Sequence, residues 1–255
     1  MFSKNALKTS GLFIIFMCMV IPFAVQADVY IKQKKHTDAF QVMGQSQPAK
    51  DEIFVTWMGS NKARLDHGES SSIIVRLDKN VMYMINHDEM KYAEFPVGGT
   101  EDIISSALSR SGLSDEEKAQ AQKMMKGFGE MMKPKVTVTD TGETQKIKNW
   151  KCKKYNMKTT MMGATSTQEI WATENIKIDY DLYHTLGFSV MAQTPGANDM
   201  LKEMKKIKGL TVMSTGSTSV MGTNVKSSQE LLEFSEDSAP SGTYEVPEGY
   251  KKENL

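Results

Sequence analysis

The chain has little cysteine, no surplus of either charge and few long apolar segments, and each scarcity excludes a class of protein. Two cysteines in 255 residues cannot build a disulfide-dense scaffold or a four-thiolate zinc site. Basic and acidic residues number 31 each, which argues against a broad cationic surface and hence against nucleic acid as a partner. With 40% apolar and 24% charged residues, the composition is that of a globular chain and not of a disordered one.

One long apolar run is present, and it lies near the N-terminus between Gly11 and Val25. Two lysines precede it, and small residues at positions 25 and 27 follow it, which is the three-part pattern of a secretory signal. The run is shorter than the ~20 residues that a membrane span needs. We therefore expect residues 1–27 to be a signal peptide and the protein to be periplasmic or secreted. An uncleaved anchor is the alternative.

Cleavage after Ala27 would leave 228 residues with 29 basic and 31 acidic side chains, one cysteine and seventeen methionines. A chain of this length is one large or two small domains, and all-β chains of this size commonly form one. We see no internal repeat and no low-complexity linker, so we expect residues 28–255 to form a single domain. No later segment is apolar enough to span a membrane.

The segment from Glu52 to Val97 has the pattern of a β-meander. Apolar residues alternate in short runs that are separated by turn residues such as Gly59-Ser60-Asn61. Such spacing is typical of an antiparallel sheet or barrel. In the run from Val81 to Ile85, however, both parities are apolar. We expect one face of this strand to pack on a core, and the other to meet a helix, a second sheet or a ligand.

Helical patterns occupy two regions, about 101–133 and about 179–208. In the first, Ser114 and Glu117 form a capping box, a weaker helical stretch precedes them near 102–109, and Pro134 ends the pattern. In the second, residues 179–191 form one helix, and Asn198 or Asp199 caps another that Gly209 ends. Strands are expected at 135–139, 145–147, 150–157, 167–172, 210–213, 219–225 and 230–234, with an extended tail from Ser235. The predicted fold class is α+β. It has a curved antiparallel sheet, an open half-barrel of roughly 9–11 strands, with helices packed over its concave face.

Catalytic motifs are absent from the sequence. None of the four histidines adjoins a nucleophile elbow, and Cys152 lies in a predicted strand, where a buried apolar role is the usual one. No metal-binding motif occurs, and we expect no cofactor. A secreted hydrolase is therefore disfavoured, and we expect a protein that is not an enzyme.

The methionine excess allows several interpretations. Thioethers suit the soft cuprous ion, so copper(I) binding or methionine-based oxidation buffering is one hypothesis. Core filling is another, because methionines 124 and 131 flank Phe128 at the spacing of a packed helix face. An adaptable apolar surface for a lipid, an acyl chain or an apolar protein segment is the hypothesis that we place first. Its expected lining is Met58, Met82, Met84, Met124, Phe128 and Met131.

Several short motifs resemble an exported bacterial family classed as a domain of unknown function. They are Lys62-x-Arg64-x-Asp66, Ser72-Ile-Ile, Met82-Tyr-Met with His87, Lys91-Tyr92, the strands at 150–155 and 169–171, and Pro247-x-Gly-Tyr250. That family looks related to the LolA/LolB-like lipoprotein carriers, which have an open β-barrel with helices as a lid over an apolar cavity. The resemblance implies this fold and a hydrophobic ligand or lipoprotein as partner, and it implies no catalytic residues.

Overall fold

The computed structural model describes residues 27–97, 112, 114–162, 164–176, 178, 180, 183, 196–220 and 222–253. Residues 1–26 of the predicted signal peptide lie outside this description, as do the expected helix at 102–109 and most of the one at 179–191. Strand dominates the structure, at 61%.

Fourteen strands occur in the described part of the chain. The first eight are β1 (Asp28–Thr37), β2 (Phe40–Val42), β3 (Gln45–Gln47), β4 (Lys50–Gly59), β5 (Lys62–His67), β6 (Ser71–Arg76), β7 (Val81–Asn86) and β8 (Lys91–Pro96). The others are β9 (Lys135–Ile147), β10 (Trp150–Met161), β11 (Ala164–Thr173), β12 (Leu210–Val220), β13 (Thr223–Asp237) and β14 (Lys251–Lys252). A short 3₁₀ turn, Leu77–Lys79, joins β6 to β7.

Twelve of these strands form one sheet that is not closed into a barrel. Its order is β14-β8-β7-β6-β5-β4-β1-β13-β12-β11-β10-β9. All neighbours are antiparallel except β14, which pairs in parallel with β8. The predicted meander is confirmed as β4 to β8, and the large antiparallel sheet is confirmed with it. The strand number exceeds the expected range because β1 and β14 join this sheet, while β2 and β3 form a separate hairpin.

Strand β1 lies at the centre of the sheet, where it pairs with β4 on one side and β13 on the other. The sequence did not predict it, because the run from Lys32 to His36 is polar and shows no alternation. In the structure Ile31 and Gln33 are buried, whereas the three lysines of this strand are half-buried.

Helix α1 spans Asp115–Met132 and begins as the capping box predicts. The Ser114 backbone N–H donates to Glu117 Oε2 at 2.8 Å, and the Glu117 N–H donates to Ser114 Oγ at 3.4 Å. These bonds satisfy amide groups that the first helical turn leaves unpaired. The helix ends two residues before Pro134, as expected.

Helix α2 spans Ala197–Met204, so the expected caps at 198 and 199 are wrong. Gly196 precedes the helix with a φ of 81° and lets the chain turn into it two residues earlier. Met204 packs on a buried cluster that includes Tyr155 and Ile170. Glu203 Oε2 accepts a 2.9 Å hydrogen bond from the Val138 N–H, which fixes α2 on β9.

The prediction of a single strand at 219–225 is also wrong. Val220 and Thr223 are paired across a hairpin turn, so this segment contains the end of β12 and the start of β13. Polar side chains in both strands concealed the turn. The two strands expected at 135–139 and 145–147 are one continuous strand, β9.

Candidate functional site

One side of β1 and β4 to β8, here called the methionine face, carries most of the predicted lining that the structure describes. Met58 pairs with Ala63, Ala63 with Val75, and Val75 with Met82. Residues that pair directly across antiparallel strands point to the same side of the sheet. All four are buried in one cluster with Ile31. Met58 and Met82, both predicted to line a ligand cavity, therefore lie together as part of the core.

A second row on the methionine face lies one step along the strands. Thr56 pairs with Leu65, Leu65 with Ile73, and Ile73 with Met84. The first three are half-buried, and Met84 is 46% exposed. Apolar surface thus continues without a break from the core to the solvent.

The remaining predicted lining residues are on α1. Met124 is 75% exposed, so its side chain is not part of a packed core. The side chains of Phe128 and Met131 lie outside the described part of the structure. The structure thus brings together Met58, Met82 and Met84 and does not place Met124 in the buried cluster with them.

The opposite side of β4 to β8, here called the tyrosine face, is covered by the C-terminal tail. Ile74 and Ile85 are buried there against Tyr244, and Trp57 and Tyr83 pack around them. The sequence predicted that one face of β7 packs on the core and that the other meets a helix, a second sheet or a ligand. The tail fills this role on the tyrosine face.

A polar network on the tyrosine face joins several of the motif residues to this tail. Ser72 Oγ donates to Asp66 Oδ1 at 2.5 Å and accepts from Arg64 Nη2 at 3.0 Å. His87 lies between Ser72 Oγ, at 2.6 Å from Nε2, and Tyr250 Oη, at 2.8 Å from Nδ1. Sequence reasoning found these motifs but gave them no role. The signal that could have grouped them is side-chain alternation, because residues two apart in a strand, such as 64 and 66, point to the same face.

Arginine side chains hold the tail at its backbone. Arg64 Nη1 donates to the Thr243 carbonyl at 3.3 Å, and Arg76 Nη1 donates to the Tyr244 carbonyl at 3.2 Å. Arg76 also forms a double hydrogen bond with Asp78, at 2.8 and 2.7 Å, and this pairing lowers the pKa of the Asp78 carboxyl to about 2. The charged groups on this face therefore serve to fix the tail.

Ser72 and His87 have the separation of a catalytic pair, but their hydrogen bonds do not suit one. The single hydroxyl proton of Ser72 is donated to Asp66 Oδ1, which Arg64 also contacts at 2.7 Å. Because the only proton of Ser72 Oγ is used in that bond, His87 Nε2 donates to Ser72 Oγ. A general base would instead present a bare nitrogen to the hydroxyl. Ser72 is also only 2% exposed, so a substrate would not reach it.

Cys152 is fully buried, as the sequence predicted, within the same cluster as Met58 and Met82. Burial raises the pKa of its thiol, which keeps the reactive thiolate scarce. Within the described residues, no group of three or more histidine, cysteine, aspartate or glutamate side chains could hold a metal ion.

Of the pockets formed by the described residues, three that stand out contain none of the predicted lining residues. The largest, about 700 Å³, is bordered by polar side chains of β9 to β13, including Thr139, Lys158 and Lys226. A second, about 510 Å³, lies beside Lys62 and Arg76. The third, about 270 Å³, includes Lys35 and Phe54 together with serine and glutamine side chains.

No helix among the described residues has both the length and the apolar character needed to cross a membrane. Comparison of the chain with protein-family models gives no match, and comparison with curated proteins gives none either.

Proposed function

We propose that this chain is an exported, non-enzymatic binding protein whose methionine face takes a lipid, an acyl chain or an apolar protein segment. One observation carries the proposal: the row that ends at Met84 extends the apolar core into solvent-accessible surface. An exposed apolar surface that is continuous with a core is a usual place for an apolar ligand. Helices packed over the concave side of an open half-barrel would close the site.

The chemistry of the other candidate groups supports a binding role over catalysis. Cys152 is buried with a raised pKa, and the Ser72 hydroxyl is fully occupied by Asp66, Arg64 and His87. The motif resemblance to the lipoprotein-carrier group favours the same ligand class. Export to the periplasm or beyond would place the protein among envelope lipids and lipoproteins.

A fluorescent acyl probe tests the proposal. Met84→Asp places a charge on the methionine face, where an acyl chain would have to desolvate it. We expect at least about ten-fold weaker probe binding than in the wild type, which corresponds to about 1.4 kcal/mol. Met43→Asp is the matched control, because Met43 lies in the β2–β3 turn and is 83% exposed.

Thermal unfolding of both variants checks that the fold is kept. Equal probe binding by Met84→Asp and the wild type would contradict the proposed surface. A wild-type protein that carries no lipid after gentle purification and binds no acyl probe would contradict the function itself.

The exposed methionines favour a second candidate, methionine-based oxidation buffering. Seven large apolar side chains among the described residues are exposed, and six of them are methionine. The six are Met43, Met84, Met90, Met124, Met161 and Met162. Core filling does not account for side chains in solvent. In this role hypochlorite would transfer its oxygen to the thioether sulfur and leave as chloride, giving methionine sulfoxide.

Stepwise hypochlorite treatment with peptide mass spectrometry tests this candidate. We expect the six exposed methionines to become sulfoxides first, with the circular dichroism of the native fold unchanged. Met58 and Met82, which are 7% and 5% exposed, should be protected. Oxidation of these two at the same rate, or unfolding at low oxidant, would contradict the idea. For the related copper(I) hypothesis, failure of the protein to bind cuprous ion at micromolar concentration would rule the hypothesis out.

A further inference from the structure

A lysine lies at the polar end of the methionine face. Ile31, Gln33 and Lys35 alternate along β1 and therefore point to one side of the sheet. Ile31 is in the core cluster, and Gln33 is 9% exposed. Lys35 is half-buried and lines the pocket of about 270 Å³. Along this one strand the methionine face thus changes from apolar to cationic over four residues, or about 13 Å.

The pocket around Lys35 is polar but carries no acidic side chain. Phe54, which pairs with Gln33, forms part of its wall on the methionine face. The other lining groups are hydroxyls, amides and one glycine, from Gln168, Ser214, Gly216, Ser227, Ser228 and Gln229. Hydroxyl and amide groups donate hydrogen bonds to an anion without adding a charge that would repel it.

Lys35 forms no ion pair within the described residues. Its cross-strand partner in the β1–β4 register is an acidic residue, Glu52. The Glu52 carboxylate is already engaged, with Lys50 Nζ at 2.7 Å and His67 Nε2 at 2.8 Å. The hydrogen bonds from Lys50 and His67 lower the pKa of the Glu52 carboxyl. The Lys35 ammonium is therefore left for an external anion.

We propose that the methionine face binds an anionic amphiphile with one acyl chain, whose carboxylate is held by Lys35. The inference rests on the proposed acyl-binding function and specifies its ligand. The carboxylate sits in the pocket beside Phe54, and the chain runs from there across β4 to β7, over the half-buried row of Thr56, Leu65 and Ile73 toward Met84. Pairing with a carboxylate gives the Lys35 side chain a charged partner, and the acyl chain covers the apolar row that ends at Met84.

Palmitate and 1-hexadecanol, which share a chain length and differ in charge, separate the headgroup from the chain. Each is titrated below its aggregation concentration by displacement of a fluorescent acyl probe. We expect the wild type to bind palmitate about ten-fold more tightly than hexadecanol, as a charged hydrogen bond predicts. Lys35→Gln should remove this preference by weakening palmitate binding and leave hexadecanol binding within about two-fold, because only the charged bond is lost. Acetate should not displace the probe, since the chain supplies the remaining affinity.

Lys32→Gln is the matched control, since Lys32 is on the same strand but on the opposite side of the sheet. It should leave both affinities unchanged. Three results would overturn the headgroup assignment and leave acyl binding intact. They are equal binding of palmitate and hexadecanol by the wild type, a Lys35→Gln variant that still prefers palmitate, and an equal loss of palmitate affinity in Lys32→Gln. Displacement by acetate would show a site for small carboxylates and would overturn the assignment of an amphiphile. If neither amphiphile displaces the probe from the wild type, the proposed function fails and this inference fails with it.

Discussion

Replacing Tyr244 with alanine tests whether the C-terminal tail is part of the folded core. The Tyr244 ring is 6% exposed and packs on Ile74 and Ile85, which are 0% and 2% exposed. Lys62 Nζ lies 4.4 Å from the ring centroid, within the range of a cation–π contact. Burial and the nearby Asp28 carboxylate raise the pKa of the phenol, so Tyr244 stays neutral at ordinary pH.

The expected cost follows from these contacts. Truncating a buried aromatic side chain to alanine costs about 3–5 kcal/mol, because transfer free energy is lost and a cavity remains. Loss of the cation–π contact adds about 0.5–1 kcal/mol. We therefore expect Tyr244→Ala to lower the free energy of unfolding by about 3–5 kcal/mol or slightly more. That is a large part of the ~5–15 kcal/mol that a domain typically has.

Urea unfolding followed by circular dichroism measures the change, with two variants for comparison. Tyr250→Phe removes only the hydrogen bond to His87 Nδ1 and should cost about 1 kcal/mol. Met43→Ala, at an exposed turn, should cost less than about 0.5 kcal/mol. A loss below about 1 kcal/mol in Tyr244→Ala would refute the reasoning, because the tail would then contribute little to the core.

Three further predictions concern other parts of the molecule. Cys152 should react with a thiol reagent in the native protein only as fast as the protein unfolds, and rapid labelling would show that it is accessible. Gly209→Ala should lower the free energy of unfolding by at least about 2 kcal/mol, since a Cβ there would lie 2.2 Å from the Thr173 carbonyl oxygen at a φ of 105°. Gly44→Ala, whose φ is 79° with no atom within 4 Å, is its control, and an equal loss in both would contradict the clash. Finally, the folded-state pKa of Asp78 is depressed, so its pairing with Arg76 stabilises the fold fully above the ordinary pKa of 3.8, and this contribution is lost as the pH falls through about 2. The stability difference between wild type and Asp78→Asn in thermal unfolding should therefore shrink as the pH falls toward 2 and disappear below it, and a constant difference would argue against the pairing.

Part of the proposed site could be predicted and part could not. Alternation along β7 places Met82 and Met84 on one face, and the structure confirms that placement. Sequence pattern could not show that Met82 is buried and Met84 exposed, because exposure depends on which neighbouring strand ends cover each position. Lys35 was not a candidate, because its strand was not predicted. Its relevance depends on Ser214 and Gln229, which lie 179 and 194 residues further along the chain.

Local signals in the sequence determined the meander from β4 to β8, the start of α1 at Ser114 and its end before Pro134. Turn residues, side-chain alternation and helix caps act over a few neighbouring residues, so their effect is visible without the fold. Tertiary structure alone decided that the polar strand β1 occupies the centre of the sheet and that the tail covers the tyrosine face. Both depend on contacts between distant segments: β1 is stabilised by pairing on both sides, and the tail by the Arg64, Arg76 and His87 side chains.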